Sequence, residues 1–143
     1  MNSSDDPWGL ERFLEAQRDT LEIALAELRA GQKQTHWMWF VFPQLLGLGR
    51  SAMAQRYGLK DLNEARAYLE HPVLGPRLVT ACQALLSHEG RSAREILGSP
   101  DDAKLRSCVT LFSRIPGAPP EFAAVLRRYF DGQPDPFAVI RQT

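Results

Sequence analysis

Apolar residues in this chain return at steps of three and four, and Gly or Pro stands near the end of stripe after stripe, which dictates many short helices packed on one another. Leu10, Phe13, Leu14, Leu21, Ala24, Leu25 and Leu28 make the first stripe, which Asp6-Pro7 can start and Gly31 can stop. Leu74, Leu78, Ala81, Cys82, Leu85 and Leu86 make another, and Leu105, Cys108, Val109 and Phe112 a third. Phe122, Val125, Leu126 and Tyr129 mark a helix that Gly132 ends, and Asp135-Pro136 opens a last short one. Smaller helices are expected between these. Thr35 caps a buried turn that Pro43 closes, Ser51 caps Ala52 to Tyr57, and Asp61 opens a helix ending at Glu70. Ser92 with Glu95 has capping-box spacing.

Six large residues in a row, Trp37 to Phe42, fit either a buried strand or a buried helix. A lone strand has nothing to pair with, so the run reads as helix. The expected fold is therefore all-α, with about seven to nine mostly short helices. It is a single domain over residues 1–143, of which 1–6 form a flexible start.

The totals remove several classes of function. Lys plus Arg equals Asp plus Glu at 17 each, so no global field draws the protein onto a phosphate backbone, and nucleic acid is not an expected partner. No apolar run reaches membrane-spanning length and the acidic start is unlike a secretory leader, which points to a cytoplasmic protein without a membrane partner. Cys82 and Cys108 sit on apolar stripes and read as small hydrophobes. His36, His71 and His88 are isolated and no Cys-x-x-Cys exists, so neither metal nor cofactor is expected.

Several segments together are recognisable. They are Ala16-Gln17; Lys33 to Thr35 followed by His36-Trp37-Met38-Trp39-Phe40-Val41-Phe42-Pro43-Gln44; Gly47-Leu48-Gly49-Arg50-Ser51; Ala54 to Tyr57; Ala67-Tyr68-Leu69 with His71-Pro72-Val73-Leu74-Gly75; and Lys104-Leu105 through Thr110-Leu111-Phe112. With these the chain resembles a bacterial domain-of-unknown-function family, number 1810, along nearly its whole length. The resemblance implies an all-helical fold of about this size and brings no activity with it. The family often carries the label calpastatin. Calpastatin segments are disordered until they bind, whereas this chain has the periodic apolar residues to build its own core.

Within the stretch from Gly31 to Lys60 there is no Asp or Glu, while Lys33, Arg50, Arg56 and Lys60 are present. This aromatic, locally cationic segment is where a ligand is expected. His36 is the candidate general base, since burial beside aromatics disfavours its charged form; its plain alternative is a core histidine. Trp37 and Trp39 cannot share one helix face, so one belongs to the core and the other is free to stack. Gln44 offers a donor and an acceptor on a short tether. Gly47-Leu48-Gly49-Arg50-Ser51 supplies backbone N–H groups, a guanidinium and a helix start, an arrangement that suits anions. Tyr57, His71 and Arg77 are expected to join the same pocket, with capping of the next helix as the alternative for His71. The leading reading is thus a pocket for a small, planar, anionic, nucleotide-like metabolite, with metal-independent acid–base chemistry if it is an enzyme. The competing reading is a helical protein–protein interaction module that turns over nothing.

Overall fold

In the computed structural model, which describes residues 6–140, the chain forms ten helices and no strand among those residues. They are α1 (Glu11–Gln17), α2 (Leu21–Ala30), α3 (Met38–Val41), α4 (Ala52–Tyr57), α5 (Leu62–Glu70), α6 (Leu74–Leu86), α7 (Ala93–Leu97), α8 (Asp101–Ser113), α9 (Glu121–Phe130) and α10 (Pro136–Ile140). The all-helical architecture holds. The expected flexible start lies outside the described residues except for Asp6, whose carboxylate accepts from Leu10 N and Glu11 N at 2.8 and 2.9 Å.

The first stripe, expected as one helix, is split into α1 and α2. Gln17 is buried where α1 stops, and its Nε2 donates to Phe40 O at 2.7 Å and to the Tyr68 hydroxyl at 3.2 Å. The chain turns there, and α2 restarts with Ala24 N bonded to Thr20 O. Leu14 and Leu21 are two helical turns apart in sequence, so the break leaves the apolar periodicity undisturbed and invisible to it.

Caps fall largely where their residue types place them. Ser51 Oγ accepts from Ala54 N, Asp61 Oδ1 from Glu64 N, and both arms of the Ser92–Glu95 capping box are formed. Thr35 does not cap α3, whose N-cap is Trp37. Its hydroxyl donates instead to Glu27 Oε2 at 2.8 Å.

The two longest helices, α6 and α8, carry the core, α6 packing on α2, α5 and α9 and α8 on α5, α7, α9 and α10. Cys82 and Cys108 are buried and unpaired on their apolar faces, and burial pushes both thiols above the ordinary range. Between the helices runs a column of rings. Tyr57, Phe13, Tyr68, Phe112 and Phe122 follow one another with centroids 5.6, 5.0, 5.6 and 5.5 Å apart, linking α4, α1, α5, α8 and α9. At the α5–α6 junction a Cβ on Gly75 would lie 2.0 Å from Leu69 O, so only glycine lets the two helices meet there.

One ion pair is set into this core. Glu64 is fully buried, accepting from Arg12 Nη2 at 2.9 Å and from Lys60 N at 2.8 Å. Arg12 also donates to the carbonyls of Trp8, Gly9, Arg56 and Gly58, so its guanidinium joins α1 to the end of α4 and the start of α5. Removing one partner strands the other charge. Glu64→Ala is expected to lower the unfolding free energy by about 3–5 kcal/mol. Glu70→Ala, which breaks the exposed Arg66–Glu70 pair, should cost no more than about 0.5 kcal/mol. Urea denaturation of the two variants checks this, and equal effects would show that burial is not what makes the first pair matter.

Candidate functional site

The segment after α3 leaves the core at Pro43 and returns at Leu59, and a short parallel bridge ties its ends. Leu46 N donates to Leu59 O at 2.7 Å and Leu59 N to Gln44 O at 2.9 Å. The loop from Gly47 to Arg50 and helix α4 are thus a closed excursion on a fixed base. Gly49 lies against α4 so closely that a Cβ there would sit 2.8 Å from Ala54 Cβ, and the same point is 3.6 Å from Gln44 Nε2.

Facing this loop is the polar side of α8, with the segment that leads into α10. Together they enclose a cleft of about 330 Å³ lined by Gln44, Leu48, Gly49, Pro100, Ala103, Lys104, Ser107, Asp135 and Phe137. Gln44 also lines a narrow crevice beside Trp39 and Tyr57. On the far side of Gly49 a second hollow, of about 520 Å³, is bounded by Leu46, Gly47, Arg50 and Gln55.

Charge is unevenly spread over this face. Lys104 Nζ lies 5.1 Å from the centre of the Trp39 ring and 3.5 Å from Asp101 Oδ1. Asp101 also holds Lys33 at 3.0 Å, so one carboxylate serves two ammonium groups. Arg50 is exposed and its guanidinium has no acidic partner among the described residues. The Gln44 carboxamide likewise makes no hydrogen bond there.

The wall opposite the loop is strapped down. Ser107 Oγ donates to Asp135 Oδ2, Asp135 N donates to Thr110 Oγ1 at 2.9 Å, and Phe137 N donates to Asp135 Oδ1 at 3.0 Å. Arg106 adds bonds to the carbonyls of Gln133 and Pro134 at 2.8 and 3.0 Å. Phe137 is left 65% exposed at the rim.

Of the residues expected at one site, Trp39, Gln44, Gly49, Arg50 and Tyr57 come together around these adjoining hollows. The others do not. His36 is exposed, lines neither hollow and makes no hydrogen bond among the described residues, which corrects its expected place beside Gln44 and Arg50. Trp37 is the core tryptophan, fully buried with Nε1 donating to Glu27 Oε1 at 2.8 Å. Ser51 caps α4 with its side chain. His71 caps the start of α6, its Nδ1 accepting from Val73 N and Leu74 N at 3.1 and 3.2 Å. Arg77 donates to Gln17 Oε1 at 3.2 Å, in the polar knot between α1 and α6.

Sequence reasoning passed over Lys104, Ser107, Asp135 and Phe137. By sequence Asp135 reads only as a helix start. The spacing of Lys104 and Ser107, three residues apart on one helix face, was the available signal.

A larger hollow of about 540 Å³ lies elsewhere, between α5, α6 and the loop before α9. Its walls are chiefly aliphatic carbons and prolines, and its one carboxylate, Glu70, is already paired with Arg66. Its other polar side chains are Thr80 and Gln83, and Gln83 Nε2 donates to Glu121 Oε2 at 3.0 Å. Among the described residues no group of His, Cys, Asp or Glu could hold a metal ion, and no helix is long and apolar enough to cross a membrane.

The fold belongs to a known class of helical domain. The chain is a member of the DUF1810 family, described as proteins of unknown function, whose model matches residues 7–141. It is similar to the crystal structure of the conserved hypothetical protein Rv1873 from Mycobacterium tuberculosis, with 49% identity over 96% of this chain and 98% of that one and a TM-score of 0.94. No curated protein matches it.

Two outcomes follow from the loop that carries His36 and Trp37. His36→Ala should shift the unfolding free energy by no more than about 0.5 kcal/mol, while Trp37→Ala should lower it by about 3–5 kcal/mol; thermal or urea unfolding distinguishes the two. The loop is held by Glu27. Burial opposes ionisation of that carboxyl, but hydrogen bonds from Gln34 N, Trp37 Nε1 and the Thr35 hydroxyl and N–H outweigh it and bring the pKa from 4.5 down to about 2. A carboxyl more acidic in the folded state stabilises fully above its unfolded value and loses that contribution as the pH falls through the folded one. Stability of the native protein should therefore drop between about pH 4.5 and pH 2, and Glu27→Gln should flatten that part of the profile. An unchanged acid limb in the variant would show that Glu27 does not govern it.

Proposed function

We propose that this protein is a cytoplasmic binder of a small, planar, anionic metabolite, held at the face formed by Gln44, the Gly47–Arg50 loop and Lys104. The observation that carries the reading is the pair of cations on adjoining hollows. Arg50 has no acidic partner among the described residues and Lys104 shares its one carboxylate with Lys33, in a chain with no net charge. A cation left without a counter-ion beside a concave, partly apolar wall is a local device for attracting and orienting an anion. Gln44 adds a donor and an acceptor between them.

The reading is one of binding. His36 stands outside the cleft, and the Ser107 hydroxyl donates to Asp135 with no imidazole lining the same cleft. Neither supplies the activated base that an acid–base step or a serine nucleophile requires.

Thermal unfolding in the presence of a panel of phosphorylated and carboxylated metabolites tests the reading. A true ligand at a hundred times its Kd should add about 2.7 kcal/mol of stability. Arg50→Ala and Lys104→Ala should each weaken it about tenfold, the loss of a charge-assisted contact of roughly 1.4 kcal/mol. A panel in which no anion stabilises the protein, or stabilisation that survives both substitutions together, would transfer the case to an interaction module.

A further inference from the structure

Resting on the anion-binding reading above, we infer that the ligand is a nucleoside monophosphate, its base stacked on Phe137 with its hydrogen-bonding edge at Gln44 and its phosphate at Arg50. The two hollows differ in chemistry and meet at Gly49. The cleft has a ring and an aliphatic wall, from Phe137 and Leu48, with the Gln44 carboxamide between them. Its size, about 330 Å³, is at the lower end for small-molecule pockets, which are about 300–1,000 Å³. It suits one base better than a dinucleotide.

Phe137 is the unusual member. A large aromatic side chain 65% exposed loses hydrophobic stabilisation that burial would provide. The backbone that carries it is tied to the cleft wall, because Phe137 N is bonded to Asp135 Oδ1 and Asp135 in turn to Ser107. Phe137 thus lines the cleft while remaining largely open to solvent, a setting in which an aromatic side chain is available to stack on a planar base.

The phosphate is directed to the other hollow by charge. The cleft wall carries both signs of charge, the Asp135 carboxylate as well as the Lys104 ammonium. Across Gly49, Arg50 faces no carboxylate, and the N–H groups of Gly47, Gly49 and Arg50 have no hydrogen-bond partner among the described residues. Gln44 is then the group that reads the base. Its carboxamide can pair with a donor and an acceptor side by side, the pattern on the edge of a nucleobase.

The test compares the full chain's affinity for AMP, GMP, CMP and UMP with that for ribose 5-phosphate, by calorimetric titration. At least one nucleotide is expected to bind roughly tenfold or more tighter than ribose 5-phosphate, as base–aromatic stacking predicts. Phe137→Ala should erase that margin while leaving ribose 5-phosphate affinity unchanged, and Gln44→Leu should change the ranking among the four bases. Phe137→Leu, which keeps an apolar side chain of similar size without a ring, should lose the margin too and serves if the alanine variant unfolds. Ribose 5-phosphate binding as tightly as every nucleotide, or a margin that survives Phe137→Ala, would overturn the base site while leaving the anion reading in place. Failure of both nucleotides and ribose 5-phosphate to bind would overturn the base site, and failure of all other metabolite anions as well would overturn the anion reading beneath it.

Discussion

The buried carboxylate of Glu64 and the Arg12 guanidinium that meets it fix the geometry on which the rest of this molecule depends. A carboxylate without solvent must have its oxygens satisfied, and here one accepts from Arg12 and the other from Lys60 N. That requirement sets the position of α5 relative to α1. It also extends outward, because the same guanidinium holds the carbonyls of Arg56 and Gly58. With Gly58 placed, Leu59 is in register to bond Gln44 and Leu46. The Gly47–Arg50 loop is therefore anchored by an ion pair none of whose atoms it contains.

A second requirement explains why so much of the aromatic block is interior. Met38, Phe40, Val41 and Phe42 are buried around a helix of a single turn, which cannot be stable on its own account. The surroundings hold it. Gln17 bonds Phe40 O from one side, and Glu27 gathers Gln34, Thr35 and Trp37 from the other. Both polar side chains come from the segment that splits into α1 and α2. The break at Gln17 lets that side chain turn into the core while Glu27, further on, reaches the loop before α3.

The helical stripes, most of the caps and the all-α class were legible because each rests on local chemistry, periodicity or a side chain bonding a backbone N–H within three residues. The division of the first stripe was not, since its cause, the bond from Gln17 to Phe40, spans 23 positions. The same limit divides the site. Gln44, Gly49 and Arg50 announced themselves by residue type and by the absence of acids around them. Lys104 and Phe137 did not, because their meaning lies in facing a loop more than fifty residues earlier in the chain. His36 misled for the opposite reason. Its aromatic neighbours suggested burial, but Trp37 turns inward to Glu27 and leaves the preceding side chain outside.

The two walls of the cleft are held by separate means, and this bears on what binding there would cost. The loop wall depends on Arg12, Glu64 and the Leu45–Leu59 bridge, whereas the opposite wall depends on Asp135, Ser107, Thr110 and Arg106. Neither set of bonds includes Gln44's carboxamide, the Arg50 guanidinium or the Phe137 ring. Groups able to meet a ligand are thus kept apart from groups that hold the walls, and a ligand need displace no structural bond to engage them. Ordering entropy for the backbone is already spent in folding, which leaves only the side-chain rotamers of Gln44, Arg50 and Phe137 to be fixed on binding, at about 0.5–1.5 kcal/mol each. For a ligand as small as the cleft allows, that saving decides whether a handful of contacts suffices for measurable affinity.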